Sequence, residues 1–243
     1  MARYDEATRM PSKIAIIAAL PREVAALVRG TKADAALLRR GVWLYRLKDR
    51  DRLKSGAIVV AAGMGAERAT IAVEAALAEG EVGMLISAGL AGGCAPGVRA
   101  GSVMEASVVV DARTGERFAS AEMGEDVTLV TTAVIAGVRE KARLHATYAA
   151  WLVDMEAATV ARLAGAKGLR FRAIKGVSDA HDVELSSLAQ FAGKRGSFRT
   201  GAFAVHTAVR PWTWGSAMAL GRGSALALAR LDERLRIVLD EAR

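Results

Sequence analysis

At 243 residues, the chain is long enough to bury a substantial core as one large α/β domain. It is 52% hydrophobic, 25% charged and only 5% aromatic, with many alanines and glycines. That excludes a disordered or fibrous protein and suits close packing of helices on a sheet. The net charge of +8 admits an anionic partner, but the basic residues are scattered. They carry no zinc-finger spacing, helix-turn-helix cue or arginine-aromatic alternation, so nucleic acid is not expected.

Residues 1–12 are polar and unpatterned, and are expected to form a frayed leader ahead of a single domain over residues 13–243. Ile14–Ala19 reads as the first buried strand. Asp5 and Glu6 before it, and Pro21-Arg22-Glu23 after it, argue against a signal peptide. No apolar run reaches the roughly 18 residues of a spanning helix. The lone cysteine, Cys94, cannot form an internal disulfide, so the expected location is the cytoplasm.

Pro21 and the stripe Val24, Leu27 and Val28 predict a short helix. Strands follow at Val42–Leu47 and Ala57–Ala62, then a tight turn, Gly63-Met64-Gly65, and a helix over Ala66–Glu79. Val82–Ala88 predicts a buried strand ending in a glycine-rich turn, Gly89–Gly93. Val103–Val110 reads as a strand, Asp111–Asp126 as a polar loop and Val127–Thr131 as a strand. A helix is expected over Val138–His145, a strand over Trp151–Met155, a helix over Glu156–Ala166 and a last strand over Phe171–Val177. Beyond Asp182, helical patterns fall at Leu188–Lys194, Phe203–Val209 and Ala217–Asp240. Alternation of this kind predicts a largely parallel sheet flanked by helices.

Four acidic or glycine-rich turns follow strands: Leu20–Glu23, Gly89–Gly93, Met155-Glu156 and Ser178-Asp179. Strand ends of one parallel sheet converge, so these turns are placed to share a cleft. Each alone has a plainer reading, because an acid after a strand commonly caps a helix and Met155 fits a core. Gly63 and Gly65 lack the third glycine of a dinucleotide fingerprint. Their backbone and Arg68 either hold an anion or a polarised water at the helix start, or form a turn with Arg68 in solvent. His145, His181 and His206 show no metal-ligand spacing, and no metal is expected. Nucleophile-elbow and Walker signatures are absent, which leaves the carboxylates.

Four segments occur in order: Ala19-Leu20-Pro21-Arg22-Glu23-Val24, Ser87-Ala88-Gly89-Leu90-Ala91-Gly92-Gly93, Val153-Asp154-Met155-Glu156-Ala157-Ala158 and Lys175-Gly176-Val177-Ser178-Asp179-Ala180-His181-Asp182. Together they resemble the purine nucleoside phosphorylase and 5′-methylthioadenosine/S-adenosylhomocysteine nucleosidase superfamily, over residues 13–182. The resemblance implies an α/β fold, a three-layer αβα sandwich around a twisted mixed central sheet, assembled as a homo-oligomer. It implies cleavage of the N-glycosidic bond of a purine nucleoside without a cofactor, with water or phosphate as acceptor. By the same resemblance, Asp179 protonates the purine at N7 and Ser178 positions it. Glu156 and Met155 contact the ribose, Glu23 helps activate the water, and Gly89 and Leu90 border the substrate. Val134 and Ile135 fall near the segment that meets the purine.

Breaking a C1′–N9 bond leaves a cationic sugar and an anionic base, so a site of this kind needs an acid at the base and a carboxylate at the sugar. An apolar slot around Asp179 is expected to favour its protonated form.

The sequence departs from that pattern at Leu90, where nucleosidases carry a small hydroxyl residue, at Arg68, where many phosphorylases carry Ser or Thr, and at Lys175, which replaces a planar basic group. The changes at Leu90 and Arg68 lean toward an anionic acceptor or a phosphate bound by arginine, whereas Lys175 keeps the charge without the planar fork. Gly89–Gly93, the run from Leu144 to Glu156 and the arginine-rich C-terminal helix also resemble the hopanoid-associated phosphorylase branch, which acts on a lipid-linked adenosine. There Arg210-Pro211-Trp212-Thr213-Trp214, Arg222 and Arg230 either meet an anionic membrane surface or belong to a helix packed on the core. A catalytically silent nucleoside or anion binder is the reading from another class.

Overall fold

The computed structural model describes residues 13–47, 56–121, 126–185 and 214–241, with side chains from residue 220 onward in the last stretch. Among the described residues, ten strands form one mixed sheet. Strands β1 (Lys13–Ala18), β3 (Ala57–Ala61) and β4 (Val82–Gly93) run parallel, with β2 (Trp43–Leu47) antiparallel on the outer side of β3. On the other side of β4, β10 (Arg170–Asp179) runs parallel along it and carries β5 (Val103–Ala106) antiparallel. Past the end of β1, Gly92 and Gly93 of β4 pair with β9 (Leu152–Asp154). The sheet continues through β8 (Thr128–Thr131), β6 (Val108–Asp111) and β7 (Arg117–Ala119).

Five helices flank the sheet among the described residues: α1 (Ala35–Leu38), α2 (Ala66–Leu77), α3 (Val138–Tyr148), α4 (Ala157–Ala166) and α5 (Trp214–Glu241). Strands covered on both faces are apolar at nearly every position, as β1 and β3 are. Ala15, Ile17, Ile58, Val60 and Leu85 join α2 and α4 in one core. Ile14, Ile16, Val59 and Ile86 join Leu231, Leu235 and Val238 of α5 in the other. This is the expected three-layer α/β sandwich. No helix among the described residues is long and apolar enough to cross a membrane.

The structure differs from the sequence reading at several points. Gly89–Gly93 is not a turn but the second half of β4, kept extended by β10 on one side and β9 on the other. Val103–Val110 breaks at Ser107, because β5 pairs with β10 whereas β6 pairs with β8. The loop Asp111–Asp126 contains the short β7, which β6 holds in place. After a 3₁₀ turn at Pro21–Glu23, Val24–Val28 forms successive turns rather than a helix, although Val24, Leu27 and Val28 are still buried. The pattern also did not anticipate α1, which Asp34 caps through the N–H groups of Ala36 and Leu37. The leader and the patterns at Leu188–Lys194 and Phe203–Val209 lie outside the described residues.

Close approach explains two glycines. A Cβ on Gly176 of β10 would meet the Ala227 carbonyl of α5 at 3.0 Å, and one on Gly223 of α5 would meet the Ser178 carbonyl at 3.0 Å. Backbone pressed on backbone leaves no flexible atom to give way. Gly176→Ala is therefore expected to cost about 1–3 kcal/mol by forcing α5 away from β10. Urea unfolding would measure this, and an unchanged midpoint would refute the close fit.

Candidate active site

Three strands deliver acidic groups to one cleft at their carboxyl ends: β1 through the 3₁₀ turn with Glu23, β9 with Asp154, Met155 and Glu156, and β10 with Ser178 and Asp179. The glycine-rich tail of β4 runs among them. The cleft encloses about 470 Å³.

Glu23 is buried, with its carboxylate held by three backbone donors. Oε2 accepts from the N–H groups of Ala19 at 3.0 Å and Leu20 at 2.8 Å, and Oε1 accepts from Leu90 at 3.1 Å. Gly89 makes this possible, since a Cβ there would sit 3.0–3.1 Å from the carboxylate, and its φ of +141° disfavours any side chain.

Glu156 stands at the start of α4 and accepts from the Gly65 N–H at 2.7 Å. Burial pushes its carboxyl up to about 8, and the neighbouring charges of Asp154 and, less strongly, Glu23 add to the rise, while Lys175 and the Gly65 N–H oppose it. Asp154 is paired behind it with the fully buried Lys175, Nζ to Oδ2 2.8 Å. Asp154 also accepts from the Thr131 hydroxyl at 2.6 Å and from the Ala157 N–H at 3.0 Å. Lys175 donates to the Ser87 hydroxyl at 2.9 Å. Burial opposes its charge, but Asp154 and Glu156 outweigh burial and hold the ammonium above its ordinary range.

Asp179 is buried, but not in an apolar slot. Lys141 of α3 donates to Oδ2 and the Ser178 hydroxyl to Oδ1. The remaining N–H bonds of Lys141 reach the carbonyls of Ala180 at 2.8 Å and Val183 at 3.1 Å. The adjacent Cys94 thiol is pushed up to about 12 by burial, so it is neutral in ordinary conditions.

Glu23, Met155, Glu156, Ser178, Asp179, Leu90, Val134 and Ile135 all line the cleft, with Gly89 directly behind Glu23. Arg68 does not join them. Its guanidinium donates to the carbonyls of Ala62 and Gly41, so the turn at Gly63 and Gly65 carries no arginine into the cleft. Of that turn, Met64 lines the cleft, Gly65 supplies its N–H to Glu156 and Gly63 donates to the Ala19 carbonyl at 2.8 Å. The sequence reading missed Lys141, Asp154 and a wall of α5 made by Leu220, Ala225 and Leu228. The nearest signal was the spacing of Lys141 and Leu144, which puts both on one face of α3. Of the residues set against a membrane surface in the sequence reading, Arg230 donates to the Gly101 carbonyl at 2.9 Å, Arg222 is exposed on α5, and residues 210–213 lie outside the described residues.

A family model described as the phosphorylase superfamily matches residues 13–133 and 122–208. The chain belongs to the phosphorylase superfamily. Among solved structures, the superfamily member is similar to the apo 5′-methylthioadenosine nucleosidase of Arabidopsis thaliana, with a TM-score of 0.70, 19% identity and 97% of each chain covered. It is also similar to the 5′-methylthioadenosine/S-adenosylhomocysteine nucleosidase of Helicobacter pylori with butyl-thio-DADMe-Immucillin-A. That likeness has a TM-score of 0.68 and 13% identity, over 96% of this chain and 100% of that one. The futalosine hydrolase of Helicobacter pylori matches with a TM-score of 0.60 and 17% identity, over 82% of this chain and 97% of that one. At such identities the likeness carries the fold. None of the curated proteins matches the chain.

The raised carboxyl of Glu156 has a consequence for stability. The unfolded chain loses this proton near pH 4.5, the ordinary glutamate value, whereas the folded protein keeps it to about pH 8. Stability from this group is therefore full below about 4.5 and falls as pH rises through about 8. Glu156→Gln lacks the titration, so the variant should gain on the wild type between pH 5 and pH 8 in thermal midpoint. A difference that does not change with pH would sink the assignment.

Proposed function

We propose that this superfamily member hydrolyses the N-glycosidic bond of a purine nucleoside, with water as the acceptor. The observation that carries the choice of water is the bonding of Glu23. Backbone N–H groups turned toward a cleft make an anion site only while they are open. Here the carboxylate of Glu23 fills those of Ala19, Leu20 and Leu90. A phosphate would meet negative charge where it needs donors. The guanidinium of Arg68, which the sequence reading offered to an anionic acceptor, donates to two carbonyls and does not line the cleft.

In this reading Glu23, held rigidly by three donors, orients the attacking water and takes its proton. Glu156 and Met155 grip the ribose. Glu156 sets its carboxyl oxygens against the sugar as it becomes cationic. Ser178 and Asp179 receive the purine, where general acid catalysis contributes about 10²- to 10⁴-fold in rate. Leu220, Ala225 and Leu228 of α5, with Leu90 and Ile135, give the cleft an apolar wall that suits an apolar 5′ group on the sugar better than a hydroxyl.

Incubation with methylthioadenosine, adenosine and inosine, each with and without phosphate, tests the reading. Base release is expected to be independent of phosphate and to yield free sugar. Methylthioadenosine should exceed adenosine in kcat/KM by about 10- to 100-fold, the worth of a small apolar group in an apolar pocket. Phosphate-dependent turnover with a sugar phosphate as product would make the protein a phosphorylase, and binding without base release would make it a binding module. Asp179→Asn should lower kcat by about 10²- to 10⁴-fold with KM little changed, because an amide holds N7 but transfers no proton.

A further inference from the structure

We propose that Lys141 supplies the proton that Asp179 hands to the leaving purine, an inference that rests on the hydrolase reading above. The two groups are almost completely buried, each side chain 1% exposed, and Lys141 comes from α3 whereas Asp179 ends β10. Withdrawing a lysine ammonium from water is costly, and a well-packed apolar residue holds a helix to its neighbour at least as well. A buried lysine at this point therefore calls for a use beyond packing.

The bonding defines that use. An ammonium has three N–H groups, and those of Lys141 go to Asp179 and to the carbonyls of Ala180 and Val183. None is left for a ligand, so Lys141 acts through Asp179 as a positioning residue. Asp179 in turn accepts from Lys141 on Oδ2 and from the Ser178 hydroxyl on Oδ1. An ionised carboxylate held in this way has no proton of its own to give. The pair taken together has one, whichever atom carries it at a given moment.

The step balances. As the C1′–N9 bond breaks, its electron pair stays with the purine. The proton of Lys141 Nζ passes to the Asp179 carboxyl, and a proton passes from that carboxyl to the purine ring nitrogen. This leaves a neutral purine, an ionised Asp179 and a neutral Lys141 amine. Water attacks the cationic sugar carbon and gives up a proton to Glu23; before the next turnover Glu23 releases that proton to solvent and solvent returns one to Lys141.

Two substitutions and two leaving groups test this. Lys141→Arg keeps the positive charge, but a guanidinium does not give up its proton in a protein. Lys141→Met removes charge and proton together and leaves Asp179 a buried acid able to carry its own proton. Lys141→Arg should lower kcat on a purine nucleoside by about 10²- to 10⁴-fold with KM within about threefold. Its loss on 4-nitrophenyl β-D-riboside, whose nitrophenolate departs unprotonated, should be at least about tenfold smaller. Lys141→Met should rank above Lys141→Arg in purine turnover, whereas a counter-charge role ranks them the other way and a packing role gives equal losses on the two leaving groups. Because the leaving-group ratio is taken within one variant, partial misfolding cancels from it. Equal losses on both leaving groups, or the reverse ranking, would overturn the role. A wild type that cleaves purine nucleosides while Lys141→Arg matches it would overturn this role alone. A wild type that releases no base from any nucleoside would overturn the hydrolase reading and this role with it.

Discussion

Ionised carboxylates leave water only when positive charge or donated N–H groups meet them, and the layout of this molecule follows from meeting that demand at several points around one cleft. Each acid is answered differently. Glu23 is met by three backbone amides at the ends of β1 and on β4, Asp154 by the ammonium of Lys175, and Asp179 by the ammonium of Lys141. Glu156 has a single backbone donor beside the charge of Asp154, and it resolves the conflict by keeping its proton. The differences among these answers turn chemically similar side chains into groups with separate tasks.

Those answers require β4. Its long run lets one strand hold β10 on one edge and β1 and then β9 on the other, so groups from three distant stretches of chain reach the same place. Gly89 clears the space for Glu23. A Cβ on Gly92 would sit 3.2 Å from Asp179 Oδ2 and 3.3 Å from Lys141 Cε, so that glycine clears the space for the second ion pair. Small residues in this segment are a requirement of charge placement as much as of backbone shape.

The parts of the structure visible in the sequence are those written in local pattern. β1 and β3 announce themselves as unbroken apolar runs, and α2 and α4 as helical stripes after strands. Glu23, Glu156 and Asp179 stand out because each lies at or just past the end of an apolar run, and all three line the cleft. Lys141 was invisible for the opposite reason. It sits in the polar stretch Arg139-Glu140-Lys141, where a lysine looks solvated, and its partner lies 38 residues away. The same limit explains Arg68, whose position after a glycine turn suggests an anion, while its real partners, Gly41 and Ala62, are set by tertiary packing. The glycine-rich run looked like a turn because composition cannot register two flanking strands, and Val103–Val110 looked continuous because its change of partner at Ser107 alters no local pattern.

The sharing of β4 also sets an order on the ribosome. β4 can join β1 as soon as both have been made, yet its other edge stays open until β10 emerges, since Met84 waits for Arg170. At about 5–20 residues per second, that interval is on the order of 10 s. Throughout it the nascent chain presents an apolar strand with unpaired amides, the form most prone to pairing with a stranger. The chain's need for shelter during synthesis is thus greatest at the strand around which the finished cleft is built, and it ends only when the strand carrying Asp179 closes that edge.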